Sequence, residues 1–249
     1  MAKKVLRVNF LERITTVYGE IAIAQVTKTG GLLYVQGGCH QSESDGKGVS
    51  LSTYIHAIYG LVRQAQARSV LMIGCGGGTL ATMLSAQGIA VTIVDINPAS
   101  RHVARRYFGV PDSIPFHVED GAAYLTRGKS KFDAIVLDAY HASEIPEHLT
   151  SPEFFQAAAA RLNRRKGLLV ANVFLKNDAD RAARRLAATM TEVWPEVRML
   201  DEPGALERNV IIMAGDVAAL AEPWLELKPR TAADDIRAGL KLLKFQTLP

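Results

Sequence analysis

Cysteine is almost absent: the 249-residue chain has two, Cys39 and Cys75. Two thiols build no disulfide framework and no closed four-ligand zinc site by themselves, so a cytoplasmic setting is expected. Long apolar runs are missing as well. None approaches the roughly 20 residues that cross a bilayer, and no membrane partner is expected. Met1-Ala2-Lys3-Lys4 begins like the basic end of a secretory leader. Asn9, Glu12 and Arg13 then interrupt any apolar stretch, and no cleavage site follows, so no leader is read here. Charge of a single sign is lacking too, with a net charge of +4 and 22% charged residues. The basic clusters, Arg161 to Lys166 and Arg181 to Arg185, fall on expected helix ends and faces. No aromatics interleave with them as a stacking platform would require, so no nucleic-acid partner is expected. No His, Cys, Asp or Glu spacing suggests a metal, and neither G-x-S-x-G nor a Walker lysine motif occurs.

What is present is enough apolar sequence, 48% hydrophobic, for the core of one α/β domain. Residues 1–50 lack helical periodicity. Val17 to Val26 alternates as a half-buried strand, Thr29-Gly30-Gly31 signals a turn, and Leu32 to Val35 forms a second strand, which predicts a β-hairpin layer. Ser42 to Gly48 reads as loop, and Leu51 to Gln66 as a helix. From Ser69 onward, short apolar strands alternate with helices: strands at Ser69–Ile73, Ala90–Val94, Phe116–Val118, Phe132–Leu137 and Gly167–Val173. Strands apolar on both faces predict a doubly wound, mostly parallel sheet over residues 51–216. Val197–Leu200 and Asn209–Ala214 read as a closing antiparallel pair. The tail, residues 217–249, holds one expected helix, Ala232–Leu243, and no legible role.

The strongest local signal is Val70 to Thr79, an apolar strand, a glycine-rich turn (Gly74, Gly76, Gly77, Gly78) and a helix start. Glycines let backbone approach a ligand where a Cβ would clash. The third glycine of a dinucleotide fingerprint is replaced by Thr79, which disfavours a dinucleotide. Asp95 ends the second strand, where a carboxylate can accept ribose hydroxyls. Asp120-Gly121 ends the third, where an acid can take an exocyclic amine, and Asp138 ends the fourth. One such Asp could simply cap the next helix. A series at the carboxyl ends of consecutive strands points to a ligand containing adenosine.

These residues resemble the spermidine synthase family of polyamine aminopropyltransferases, which has a class I S-adenosylmethionine-dependent methyltransferase fold, Rossmann-like. The resemblance runs from about Gly19 to Gly215. Gly38-Cys39-His40-Gln41 looks like the family's G-x-x-Q, and Gln25 sits like the glutamine of its first strand. Tyr54-Ile55-His56 is similar to its Y-H-E. Ile73 to Gly78 looks like I-G-G-G-D-G, Leu137 to Ala142 like V-D-S-S-D-P, and Ser151 to Phe155 like its L-[FT]-x-E-F-[YF] helix start. The resemblance implies that Gln41, Gly74, Gly76, Gly78, Asp95, Ile96, Asp120, Gly121 and Asp138 hold the donor, S-adenosylmethionine or its decarboxylated form, without a metal. It implies Gln25 and His56 on the substrate side, although His56, on a helix with Tyr54 and Tyr59, reads more readily as a core or interface residue. Asp138 would keep the attacking amine neutral, because a protonated amine has no lone pair. Tyr140 and His141 beside it join the candidate catalytic group. The implied partners are a small amine acceptor and a further copy of the chain, a homo-oligomer formed through the N-terminal layer.

Two positions depart from the family. Gly77 and His141 stand where it has aspartates that hold ammonium groups, each charge-assisted bond being worth about 1.5–3 kcal/mol. Glu144 or Glu147, in the loop expected over the site, could supply a replacement. Loss of the carboxylate at 77 fits methyl transfer from intact S-adenosylmethionine as well as aminopropyl transfer, and an inactive cofactor-binding scaffold is the reading from another class.

Overall fold

The computed structural model describes residues 7–141, 144–163 and 166–247. Met1 to Leu6, Ala142 of the segment after Asp138, and Arg164 and Arg165 of the basic cluster lie outside the described residues.

The chain opens with a four-stranded antiparallel sheet in sequential order, β1 (Val8–Thr16), β2 (Gly19–Val26), β3 (Leu32–Gln36) and β4 (Cys39–Ser44). The expected hairpin is its middle pair. β1 shows little alternation because most of it faces outward, including Phe10 and Leu11. Val17 belongs to the turn between β1 and β2, and the strand begins two residues later than expected. β4 reads Cys-His-Gln-Ser-Glu-Ser, polar enough to pass for loop from Ser42 on. Only its ladder with β3 makes it a strand.

The second sheet has eight strands: β5 (Ser69–Ile73), β6 (Ala90–Asp95), β7 (Phe116–Val118), β8 (Ala134–Leu137), β9 (Leu168–Leu175), β10 (Val197–Asp201), β11 (Arg208–Gly215) and β12 (Lys244–Gln246). Their order is β12-β10-β11-β9-β8-β5-β6-β7. β9, β8, β5, β6 and β7 run parallel, while β11, β10 and β12 add antiparallel partners. The mostly parallel, doubly wound α/β architecture is therefore the one the sequence predicts, with a fuller N-terminal layer.

Because successive strand side chains point to opposite faces, each strand feeds two cores. Val70, Met72, Val136 and Val170 pack against helices α1 (Thr53–Gln64), α2 (Thr79–Ser85) and α7 (Ala233–Leu242) through Ile58, Leu61, Leu80 and Ile236. Leu71, Ile73, Ile135 and Leu169 face α4 (Gly121–Arg127), α5 (Pro152–Arg161) and α6 (Ala182–Thr191) through Leu125, Phe155 and Leu186. A third cluster joins the layers: Ile21, Ile23 and Tyr34 of the N-terminal sheet meet Val103 and Phe108, at the end of α3 (Pro98–Tyr107). Each buried aliphatic or aromatic side chain contributes about 1.5–3 kcal/mol, so this seam fixes β4 over the strand ends of the large sheet.

Local chemistry sets the helix starts. Asn97 Oδ1 accepts the Ala99 N–H at 3.1 Å ahead of Pro98. Ser151 Oγ accepts the Phe154 N–H at 3.2 Å ahead of Pro152. In both, a polar side chain satisfies an orphan donor, and proline sits where its missing N–H costs nothing.

Candidate functional site

The order of the large sheet reverses at β5. The chain goes outward through β6 and β7, then crosses back to place β8 on the other side. Such a reversal opens a crevice at the carboxyl ends of the strands. Two adjoining cavities lie there.

The first, about 310 Å3, is at the small end of the ligand-site range, roughly 300–1,000 Å3. Of the residues the resemblance assigns to the donor, Gln41, Gly74, Gly76, Asp95, Ile96, Asp120, Gly121 and Asp138 all line it. Tyr140 and His141 line it too. Gly78 does not. It caps α2 in a left-handed conformation, and a Cβ there would lie 2.5 Å from Val110. Its place is structural. Gly74 also has a positive φ, and a Cβ on it would come within 2.2 Å of the Asp138 carbonyl oxygen, so the turns after β5 and β8 touch backbone to backbone.

Asp95 has both carboxylate oxygens on backbone, taking the Cys75 N–H at 2.8 Å and the Asn97 N–H at 2.7 Å. Burial raises its pKa against the pull of these two bonds and of the Ser100 hydroxyl. The Gly77 N–H goes to Ser42 Oγ of β4 at 2.9 Å. With the Gly74 N–H on the Val94 carbonyl and the Gly78 N–H on the Cys75 carbonyl, the glycine turn therefore spends four N–H groups inside the protein, unlike a phosphate cradle, where those groups point at the anion. Carboxylates at the rim, Asp95, Glu119 and Asp120, would further repel phosphate. The walls suit a neutral, partly apolar nucleoside: Ile96, 45% exposed, lines the cavity together with Leu149 and Ile73.

Asp120 does two things. Its Oδ1 caps α4 by accepting the Ala123 N–H at 2.9 Å, and its Oδ2 meets His148 Nε2 at 2.7 Å. Burial works against ionisation, but the N–H and His148 contacts outweigh it and hold the carboxyl below its usual range.

Asp138 lies in the wall common to both cavities, with Gln41, Cys75, Gly76 and Tyr140. Its Oδ1 accepts from Asn172 Nδ2 at 2.8 Å and its Oδ2 from the Tyr54 hydroxyl at 3.4 Å. Burial pushes its pKa up, and these two donors only partly oppose the shift. Tyr140 is held differently from a proton carrier. Its hydroxyl donates to the Asn172 carbonyl at 2.8 Å and accepts the Phe174 N–H at 2.9 Å, leaving the ring as its contribution to the wall. His141 is exposed, and the contact it makes with Glu144 is a backbone bridge.

The second cavity, about 770 Å3, extends from Asp138 toward β10 and β11. The expected substrate residues are not in it. Gln25 turns its amide to the Gly30 carbonyl at 3.4 Å, bracing the β2–β3 turn. His56 is 1% exposed and its Nε2 pairs with the Ser50 carbonyl at 2.8 Å, so it is a core residue. Glu144 is exposed and lines neither cavity, as is true of Glu147. In their place the cavity draws on Tyr54, Asn172, Glu202, Glu207 and, from the tail, Gly239 and Leu243. One of these was readable: Asn172 is the single polar residue in the apolar run of β9. Nothing local marks Glu202 or Glu207.

Comparison with known proteins bears on the fold and the family. A methyltransferase-domain family model matches residues 70–167. The polyamine aminopropyltransferase of Chromobacterium violaceum is 30% identical over 200 residues, 78% of this chain and 74% of that one. A probable polyamine aminopropyl transferase of Bifidobacterium longum is 30% identical over 169 residues, 66% of this chain but only 38% of that longer one. The crystal structure of a probable spermidine synthase from Corynebacterium glutamicum superposes with a TM-score of 0.78 at 20% identity, covering 98% of this chain and 92% of that one, which shows a shared fold. A glycine turn that keeps its N–H groups, an acid at each strand end and a sequence match across most of the chain lead to one assignment: the chain belongs to the spermidine synthase-like, polyamine aminopropyltransferase family.

Proposed function

We propose that this protein transfers the aminopropyl group of decarboxylated S-adenosylmethionine to a small amine. The observation that carries the reading is the position of Asp138, at the junction of the two cavities and gripped by Asn172 and Tyr54. The smaller cavity suits the donor's nucleoside, with Ile96 against the base, Asp120 toward its amine and Asp95 toward the ribose. The donor's sulfonium supplies an activated carbon and a neutral thioether leaving group, so the chain must bind, orient and deprotonate. Asp138, ionised, accepts the proton of the incoming ammonium and frees its lone pair. Asn172 and Tyr54 fix the carboxylate's direction, and holding the amine in line behind the carbon accounts for much of the rate. Copies of the chain associate through the N-terminal layer, where Phe10, Leu11 and Val17 are exposed.

One observation favours a second reading. A Cβ at Gly77 would lie 2.9 Å from the fully buried Phe108 ring, so position 77 has no room for a carboxylate to hold the donor's ammonium. That suits intact S-adenosylmethionine and methyl transfer. Calorimetric titration of the protein with each donor decides between them. Tighter binding of the decarboxylated donor supports aminopropyl transfer. Preference for S-adenosylmethionine sinks it in favour of methyl transfer, and binding of neither leaves a scaffold.

A further inference from the structure

Three acids stand at the strand ends of the crevice, and each has a donor on both carboxylate oxygens. Asp95 takes two backbone N–H groups, from Cys75 and Asn97. Asp138 takes Asn172 and the Tyr54 hydroxyl. Asp120 takes the Ala123 N–H at Oδ1 and His148 Nε2 at Oδ2, the latter at 2.7 Å. An ionised carboxylate only accepts, so Nε2 carries the hydrogen. His148 thus stands to Asp120 as Asn172 and Tyr54 stand to Asp138.

The histidine reaches Asp120 from a fixed backbone. It sits on a single helical turn, Glu147–Leu149. Leu149 is 4% exposed and anchors that turn in the core. The Leu149 and Thr150 N–H groups close on the Pro146 and Glu147 carbonyls, both at 2.9 Å. Ser151, the cap of α5, donates its hydroxyl to the His148 carbonyl at 3.4 Å. The ring lines the smaller cavity together with Asp120. A pair this exposed, 54% and 31% at its two side chains, adds little to stability. What it adds is direction. With one oxygen on α4 and the other on the turn, the carboxylate cannot swing, and Oδ2 keeps a lone pair for a ligand N–H. No likeness assigns residue 148 this part, because it lies between the two stretches that resemble the family, Leu137 to Ala142 and Ser151 to Phe155.

Resting on the placement of the donor's nucleoside in the smaller cavity, we propose that His148 is a positioning residue for donor recognition. It holds the Asp120 carboxylate so that the cavity takes a purine bearing an amine and rejects one bearing a carbonyl oxygen on the same carbon. A carboxylate fixed at that edge accepts from the amine and repels the carbonyl. A released carboxylate turns away to water and discriminates less.

The test is calorimetric titration with 5′-methylthioadenosine and with its 6-oxo counterpart, 5′-methylthioinosine. Both are uncharged and carry the nucleoside without the reacting tail, so the result does not depend on which group the protein transfers. The proteins are the wild type, His148→Ala, His148→Gln, Asp120→Asn and the double variant His148→Ala/Asp120→Asn. The wild-type preference for the amine should fall roughly ten-fold in His148→Ala. His148→Gln keeps a side-chain N–H and should recover most of it. With Asp120→Asn in place, the same alanine change should alter the preference less than about two-fold, as a residue acting through Asp120 requires. Thermal midpoints of both His148 variants should stay within about 2 °C of wild type, which separates lost recognition from lost folding. An unaltered preference in folded His148→Ala overturns the proposal. So does an equal loss with and without Asp120→Asn, which would make His148 a plain wall residue. A wild type that binds both nucleosides equally well overturns it while leaving the nucleoside in the cavity. A wild type that binds neither overturns the placement of the nucleoside, and the proposal with it.

Discussion

Asp138 is a carboxyl group whose burial costs stability at neutral pH, a cost that the proposed chemistry would account for. Burial raises its pKa above the usual 3.8, so the folded protein binds its proton more tightly than the unfolded chain does. The associated stability is complete below the unfolded value and is lost as pH rises through the folded one. Asp138→Asn keeps the size and the polarity but cannot ionise. Its thermal midpoint should match wild type near pH 3 and exceed it at pH 7, by about 2–4 °C for each kcal/mol regained. Activity should fall at least 100-fold, the lower end for loss of a general base. The acid limb of the wild-type kcat/KM profile should sit above the ordinary carboxylate range. A variant no more stable at pH 7 than wild type would contradict the burial argument. This residue was legible in the sequence because an aspartate ending an apolar strand stands out. Asn172, which holds it, left a comparable mark inside β9. Tyr54 entered only through the likeness of Tyr54-Ile55-His56 to the family's Y-H-E, and its contact with Asp138 was not legible, since a tyrosine early in an amphipathic helix looks like core.

At the scale of elements, the start of α4 ties a structural role to a proposed binding one. Asp120 caps its first turn with one oxygen and meets His148 with the other. Asparagine caps about as well as aspartate, whereas alanine costs about 0.5–2 kcal/mol. Asp120→Ala should therefore lower both the thermal midpoint and donor affinity. Asp120→Asn should weaken donor binding with a midpoint within about 2 °C of wild type. Parallel denaturation and titration curves check the separation. If Asn binds donor like wild type, the carboxylate serves the helix alone. The helices and central strands were readable because their periodicities are strong and their caps conventional. β1 and β4 were not, because an exposed strand and a polar edge strand lack the alternation that burial imposes. Their assignment depends on ladders to β2 and β3, which no local window contains.

Across the whole molecule, the described part of the tail, residues 217–247, is packed into the core. Ile236 and Leu240 are 2% exposed, Leu243 is 5% exposed, and β12 extends the large sheet beside β10. Arg230 N–H reaches back to Asp45 Oδ2 at 3.0 Å. A chain ending at Asp216 loses at least those three buried side chains, about 1.5–3 kcal/mol each. Its midpoint should drop by more than about 10 °C, measured by circular dichroism. A drop of only a few degrees would make the segment an appendage. The larger cavity was the least legible part of the site for the same reason. Its wall is assembled from β4, α1, β9, the β10–β11 turn and α7, segments that meet only once the chain has closed.

The two flanks of the large sheet, β7 and β12, are each three residues long. Strands so short offer a passing chain almost no ladder on which to template, and Lys244 adds a charge to one of them. Protection from runaway β-aggregation is therefore built into the main domain. The long unpaired margin is β1, nine residues of mostly outward-facing strand with an irregularity between Phe10 and Glu12 that kinks its register. Among the described edges it offers the longest ladder for fibril-like growth, on the margin that the proposed contact between copies would cover.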